Sequence, residues 1–282
     1  MQTERMSPKI DVVFEALFGN ETSVPIVLDL LNTVLGRDEG EKLHSATLLP
    51  VSEISQDAEE DGARLRWRVE DQRSKSWHID LQCHNRWLVK ERLLHDWAVS
   101  YANPWMSADN QAERLPTIMV VIADFPLLKD HSSFRSRWVW KAIGGDSWLS
   151  EQAQICLVEL PKCKLTPTTA LTPLERWTLF LKEGETLSSD VLEEWADDYI
   201  LLAAETLEQL SEDDTFKQTV EKRAQEIQDY LEGIRESYRE GLNKGRRSER
   251  EVLAQKLLAR GFEMSEVAEL TNMSEDEIKD LF

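Results

Sequence analysis

Ala63-Arg64-Leu65-Arg66-Trp67-Arg68-Val69 and, shortly after it, Trp77-His78-Ile79-Asp80-Leu81-Gln82-Cys83 alternate between apolar and polar side chains. A period of two is the signature of an extended strand whose successive side chains point to opposite faces. Ala63, Leu65, Trp67 and Val69 share one face of the first run, and Arg64, Arg66, Arg68 and Glu70 share the other. In the second run Trp77, Ile79, Leu81 and Cys83 are the apolar face, and His78, Asp80, Gln82 and His84 the polar one. The two runs predict adjacent strands.

Working outward, Ser7-Pro8 can start a helix that carries Ile10, Val13, Phe14 and Leu17 at helical spacing and stops at Gly19-Asn20. A second helix is expected near Val24 to Leu35, ending at Gly36. Downstream, a helix is expected from about Arg86 to Tyr101. The apolar run Thr117 to Ala123 suits a strand covered on both faces. Phe134 to Lys141 and Ile155 to Leu160 are further strand candidates. Helices on a mixed sheet make residues 1–165 an α/β (α+β) domain. Residues 166–245 read as an acidic helical extension and 246–282 as a small helical tail. Within them, a charged helix from Phe216 to Arg239 is expected to be interrupted at Gly241 and Gly245. The tail carries a capping box at Ser274-x-x-Glu277.

With 282 residues, 41% of them hydrophobic and ten Trp, the chain is long and apolar enough for a real core. Its net charge of −20 works against attachment to a polyanion, so any DNA contact must come from a local basic patch. Cys83, Cys156 and Cys163 form no CxxC pair and read as reduced, buried thiols. No secretory signal and no stretch near the ~18 apolar residues of a membrane helix is visible. The expectation is a cytoplasmic protein with no membrane partner.

Asp80 and Gln82 are alternate residues of one strand and face the same side, roughly 6–7 Å apart. Phosphodiester hydrolysis needs an activated water and a partner for developing negative charge, and magnesium supplies both when carboxylates hold it. Taken alone, Asp80-x-Gln82 is equally a polar outer face. His78 and His84, at alternate positions on one strand, do not converge on a tetrahedral ion and read as exposed. His131 reads as a loop residue, and Trp97 and Tyr101 as core.

Several short motifs, in order, raise the stakes: Lys9-Ile10-Asp11-Val12-Val13-Phe14 with Leu17-Phe18-Gly19, then Leu30-Leu31-Asn32 with Val34-Leu35-Gly36, then Ile79-Asp80-Leu81-Gln82. They continue with Arg92, Trp97 and Tyr101, His131 to Arg135, Val158 to Lys162, and, in the tail, Leu257-Leu258, Gly261-Phe262 and Thr271 to Ser274. Together they resemble the Rpn family of recombination-promoting nucleases and transposase-like proteins, within the PD-(D/E)xK nuclease superfamily. The resemblance implies a restriction-endonuclease-like sheet and a Mg²⁺-dependent DNA endonuclease. It also implies Asp11 and Asp80 as metal ligands and Asp11, Asp80 and Gln82 as the catalytic set. Arg64, Arg66 and Arg92 would line a basic cleft for phosphate.

The chain departs from the family pattern at the second motif, which reads Leu-Asp-Val about fourteen residues before the acid; here that register gives Leu65-Arg66-Trp67. At position 80 Asp also replaces the family's usual Glu. A guanidinium cannot bind a cation and is instead expected to pair with Asp80. Glu70, four residues along, is ~13 Å away and too far to stand in. Asp57, Glu59, Glu60 and Asp61 read as a solvated loop, and Glu15 as a neighbour of Asp11 on the same helix face. Two readings stay open: a Mg²⁺-dependent endonuclease, or a pseudonuclease needing no cofactor that binds DNA or a protein partner. The acidic tail argues for packing or homo-oligomer contacts rather than DNA reading.

Overall fold

The computed structural model describes residues 5–49, 62–84, 90–102, 115–145, 147–168 and 170–281. The two alternating runs form β2 (Ala63–Asp71) and β3 (Ser76–His84), an antiparallel hairpin in which Arg66 stands opposite Asp80 and Arg64 opposite Gln82. Its turn is tied by Asp71, whose Oδ1 accepts the backbone N–H groups of Arg73 and Lys75.

Among the described residues four more strands complete the sheet: β1 (Leu43–Leu48), β4 (Thr117–Ala123), β5 (Arg135–Lys141) and β6 (Trp148–Glu159). The order is β1-β2-β3-β4-β6-β5, with β3, β4 and β6 parallel and the outer pairings antiparallel. β6 begins earlier than its apolar core residues suggest, because Trp148 and Ser150 pair with Lys141 and Trp140 of β5. Every residue of β4 is buried, as its continuous apolar run predicts.

One face of the sheet packs against α1 (Asp11–Phe18) and α2 (Val24–Leu35). The expected boundary near residue 165 does not separate compact units. α4 (Pro173–Glu183), α5 (Ser189–Trp195) and α6 (Asp198–Glu212) join the same core as α1 and α2. Trp177 shows why: it packs on Phe18 and Phe180 and donates its indole N–H to Asp29 of α2 at 2.7 Å. The opposite face is covered by α3 (Lys90–Ala102), whose Leu93 and Trp97 pack on Met119, Val121, Ile155 and Leu157.

The chain divides into compact units Met1–Val220 and Glu221–Phe282. Gly241 and Gly245 do not break the helix that enters the second unit, since α7 runs unbroken over Asp214–Ala259. Each glycine costs the helix about 1 kcal/mol relative to alanine. The surrounding run of good helix formers and the i,i+4 pairs Lys244–Glu240 and Arg247–Glu251 carry it through. In the second unit, Ala254 of α7 packs with Val267 of α8 (Met264–Thr271) and Ile278 of α9 (Glu275–Lys279). The Ser274–Glu277 capping box forms as expected.

Candidate functional site

Strand alternation and register set one row across the α3-covered face: Arg66, Asp80, Met119, Ile155 and Trp138, each paired with the next. The face that reads as polar and outward is closed by α3. Asp80 is only 1% exposed, and Arg66, Gln82 and His84 are buried beside it.

Such a carboxylate must be paired or neutralised. Asp80 is paired. Arg64 reaches diagonally across the hairpin and grips both carboxylate oxygens, with Nε 3.1 Å from Oδ1 and Nη2 2.7 Å from Oδ2. Ser100 of α3 donates its hydroxyl to Oδ2 at 2.5 Å and in turn accepts from Arg64 Nη2 at 2.7 Å and from Arg66 Nη2 at 3.3 Å. Arg66, directly opposite, approaches Oδ2 to 3.6 Å. Burial pushes the Asp80 carboxyl up, but the charges of Arg64 and Arg66 and the Ser100 hydroxyl outweigh it and hold the pKa below the ordinary carboxylate value. The same pairing raises Arg64 despite its own desolvation, and the nearby Asp96 carboxylate adds to it.

The ion pair expected of Arg66 therefore exists, but Arg64 is the principal partner. Two of the three arginines of the expected phosphate cleft are engaged with Asp80. Arg92, also expected there, lies one turn before Asp96 and pairs with it at 3.4 Å. Arg92, Asp96 and Ser100 stand at i, i+4 and i+8 on α3, where Ser100 contacts the hairpin arginines and the Asp96 charge acts on Arg64. The spacing was present in the sequence and would have flagged Asp96 and Ser100.

Gln82 shares the Asp80 face but is tied elsewhere: its Oε1 lies 2.9 Å from His84 Nε2. Among the described residues its amide nitrogen has no hydrogen-bond partner. His84 is thus a buried residue rather than an exposed one. His78 is half-buried, and burial together with the Arg66 and Arg68 charges lowers its pKa. Tyr101 stacks on Trp97 with ring centroids 5.3 Å apart.

Asp11 begins α1 and is buried, with Oδ1 accepting its neighbour Val12 N–H at 2.9 Å. Its charge is felt at Cys83, as is that of Asp124, which pairs with Lys9 at 3.3 Å. Cys83 is three residues beyond Asp80, an odd step, and so projects from the opposite face of the sheet. Glu15 is exposed, and Glu70 lies at the far end of β2, opposite Ser76. Asp57, Glu59, Glu60 and Asp61 fall outside the described residues. All three cysteines are free and buried, as expected.

A family model described as "PD-(D/E)XK nuclease family transposase" matches residues 8–237. The chain belongs to this nuclease-transposase family. Members of the PD-(D/E)XK families typically use a divalent metal, so the residues present can be tested for fit. They fit poorly. Among the described residues no three His, Cys, Asp or Glu side chains gather as ligands. The position facing Asp80, where the resemblance leads one to expect a carboxylate, holds the Arg66 guanidinium, and both Asp80 oxygens accept from Arg64, one of them also from Ser100. No curated protein and no solved structure matches the chain. Among the described residues no helix is long and apolar enough to cross a membrane.

Proposed function

We propose that this member of the nuclease-transposase family is a pseudonuclease: it keeps the family sheet but does not hydrolyse phosphodiesters, and it acts by binding. One observation carries the reading. Asp80, the acid of the third motif, is buried and held by Arg64, Arg66 and Ser100. In place of a cation, the carboxylate has two fixed positive charges. A Mg²⁺ ion entering there would have to displace a bidentate guanidinium and sit beside a second, and like charges a few ångströms apart in a poorly solvated site are strongly unfavourable.

Family membership favours a second reading, a divalent-metal-dependent endonuclease with Asp11 and Asp80 holding Mg²⁺ and Gln82 orienting phosphate or water. That reading needs Arg64 and Arg66 to swing away from Asp80. As a pseudonuclease the chain needs no cofactor. Its partner is DNA or a protein, and the acidic Glu221–Phe282 unit suits protein contacts, including a second copy of the chain, better than a polyanion.

Plasmid nicking in Mg²⁺ and in Mn²⁺ separates the two. We expect wild type and Asp80→Asn to leave supercoiled plasmid equally intact. Metal-dependent nicking by wild type that Asp80→Asn abolishes would establish the endonuclease.

A further inference from the structure

The opposite face of the sheet carries a second concentration of positive charge. Where α2 ends, a cavity of about 420 Å³ opens between its last turn, the β2–β3 turn and the β5–β6 edge. Arg37, Arg73, Lys75 and Arg137 line it, with Trp77 as a wall and Trp148 at the rim. The only carboxylates among its lining residues are Glu41 and Asp71. In a chain of net charge −20 this is a marked local reversal.

The two acids do not neutralise the four cations. Glu41 pairs with Arg73 at 2.7 Å. Asp71 is largely spent on its own turn, where it accepts two backbone N–H groups and the Trp77 indole N–H at 3.3 Å, and it stands 3.6 Å from Arg37. Among the described residues neither Lys75 nor Arg137 has a carboxylate partner. Lys75 Nζ lies over the Trp77 ring at 4.3 Å from its centroid, and Arg37 lies at 4.7 Å from the same ring. Arg137 donates to the neutral amide oxygen of Gln154 from Nε at 3.0 Å and Nη2 at 2.7 Å. Arg37 is depressed below its ordinary value, mainly by burial, and the Arg137 charge adds to the effect despite Asp71 and Glu41. Four cations facing two acids leave an unfilled electrostatic demand.

We propose that this cavity is an anion site that takes a phosphate group, with Arg37, Lys75 and Arg137 as its charged partners. Guanidinium forks match phosphate oxygens, and a lysine supplies a point charge beside them. Trp148 is 42% exposed at the rim, with Lys141 Nζ 5.3 Å from its ring centroid, so a base-sized ring stacking on the indole next to the phosphate would meet one more positive charge. The shared chemistry is a phosphate, free or carried by a nucleotide. The site lies on the face away from Asp80, requires no metal, and stands whether or not the chain hydrolyses DNA.

Isothermal titration of the full chain in EDTA at low salt, with pyrophosphate and with 5′-phosphorylated dithymidine, tests it. We expect dissociation constants below about 1 mM. Lys75→Gln or Arg137→Gln should weaken binding by about tenfold, as loss of a charge-assisted contact does, with Arg137→Lys intermediate. Lys244→Gln, which removes one positive charge from an exposed stretch of α7, should bind as wild type does. Tighter binding of the dinucleotide, with the increment lost in Trp148→Ala, would identify a nucleotide as the source; equal binding of both probes would identify free phosphate. No binding of either probe at millimolar concentration would overturn the proposal. So would equal weakening by Lys244→Gln, or wild-type affinity in both Lys75→Gln and Arg137→Gln.

Discussion

The two faces of one sheet treat positive charge in opposite ways. On the α3 side, Arg64 and Arg66 meet Asp80 and lie in the field of Asp96, and Ser100 joins the arginines to the carboxylate. On the α2 side, Arg37, Arg73, Lys75 and Arg137 share one committed acid and one largely spent on a turn. The first group is built around a buried anion of the same chain, and the second holds four cations against two acids. A cluster of arginines therefore says little by itself. What distinguishes a closed structural network from a binding site is whether the matching anions come from the same chain.

The difference is largest in stability. Asp80→Ala would leave the buried Arg66 and the part-buried Arg64 without their anion, and breaking a buried pair in this way costs about 3–5 kcal/mol. Chemical denaturation should show this, against shifts within about 0.5 kcal/mol for Lys75→Gln and about 1 kcal/mol for Arg137→Gln, which loses hydrogen bonds to the buried Gln154 amide. A loss for Arg137→Gln as large as for Asp80→Ala would erase the contrast. pH probes the same pair. Because the folded pKa of Asp80 lies below its unfolded value near 3.8, its contribution is fully present above that value and is lost as pH falls through the folded pKa. Asp80→Asn should lose that part of the acid limb in a stability-versus-pH profile; an unchanged limb would mean that other carboxylates set it.

Smaller substitutions sharpen the picture. Ser100→Ala removes a hydroxyl that donates to a charged group and should cost about 1.5–3 kcal/mol by urea titration. Gly36 takes φ +63 at the end of α2, and a Cβ there would lie 2.9 Å from Arg135 Nη2. Gly36→Ala should cost about 1–2 kcal/mol from the left-handed backbone alone, and it should also disturb the rim of the α2-side cavity.

Much of the first face was legible in the sequence. The period of two fixed the faces of β2 and β3. The family register set Arg66 at the place of an acid beside Asp80, and the ladder pairs the two. The sequence did not reveal that the polar face is buried, because α3 lies across it and cover from another element leaves no periodicity in a strand. Nor could alternation distinguish Arg64 from Arg66. From the diagonal position the Arg64 guanidinium fork meets both Asp80 oxygens, whereas the directly opposite Arg66 comes no closer than 3.6 Å. The second face was almost illegible: Arg37, Lys75 and Arg137 are far apart in the chain, and only the strand order brings β5 and the end of α2 together. α7 shows the opposite failure, where local glycines suggested a break that the helix formers around them override.

Manganese binding read by electron paramagnetic resonance tests most directly whether Asp80 is a closed ion pair or a metal ligand. Wild type and Asp80→Asn should leave the same fraction of Mn²⁺ free across a titration, because no ion competes with Arg64 and Arg66 for that carboxylate. A stoichiometric Mn²⁺ site in wild type that disappears in Asp80→Asn would contradict the closed pair and restore the metal centre.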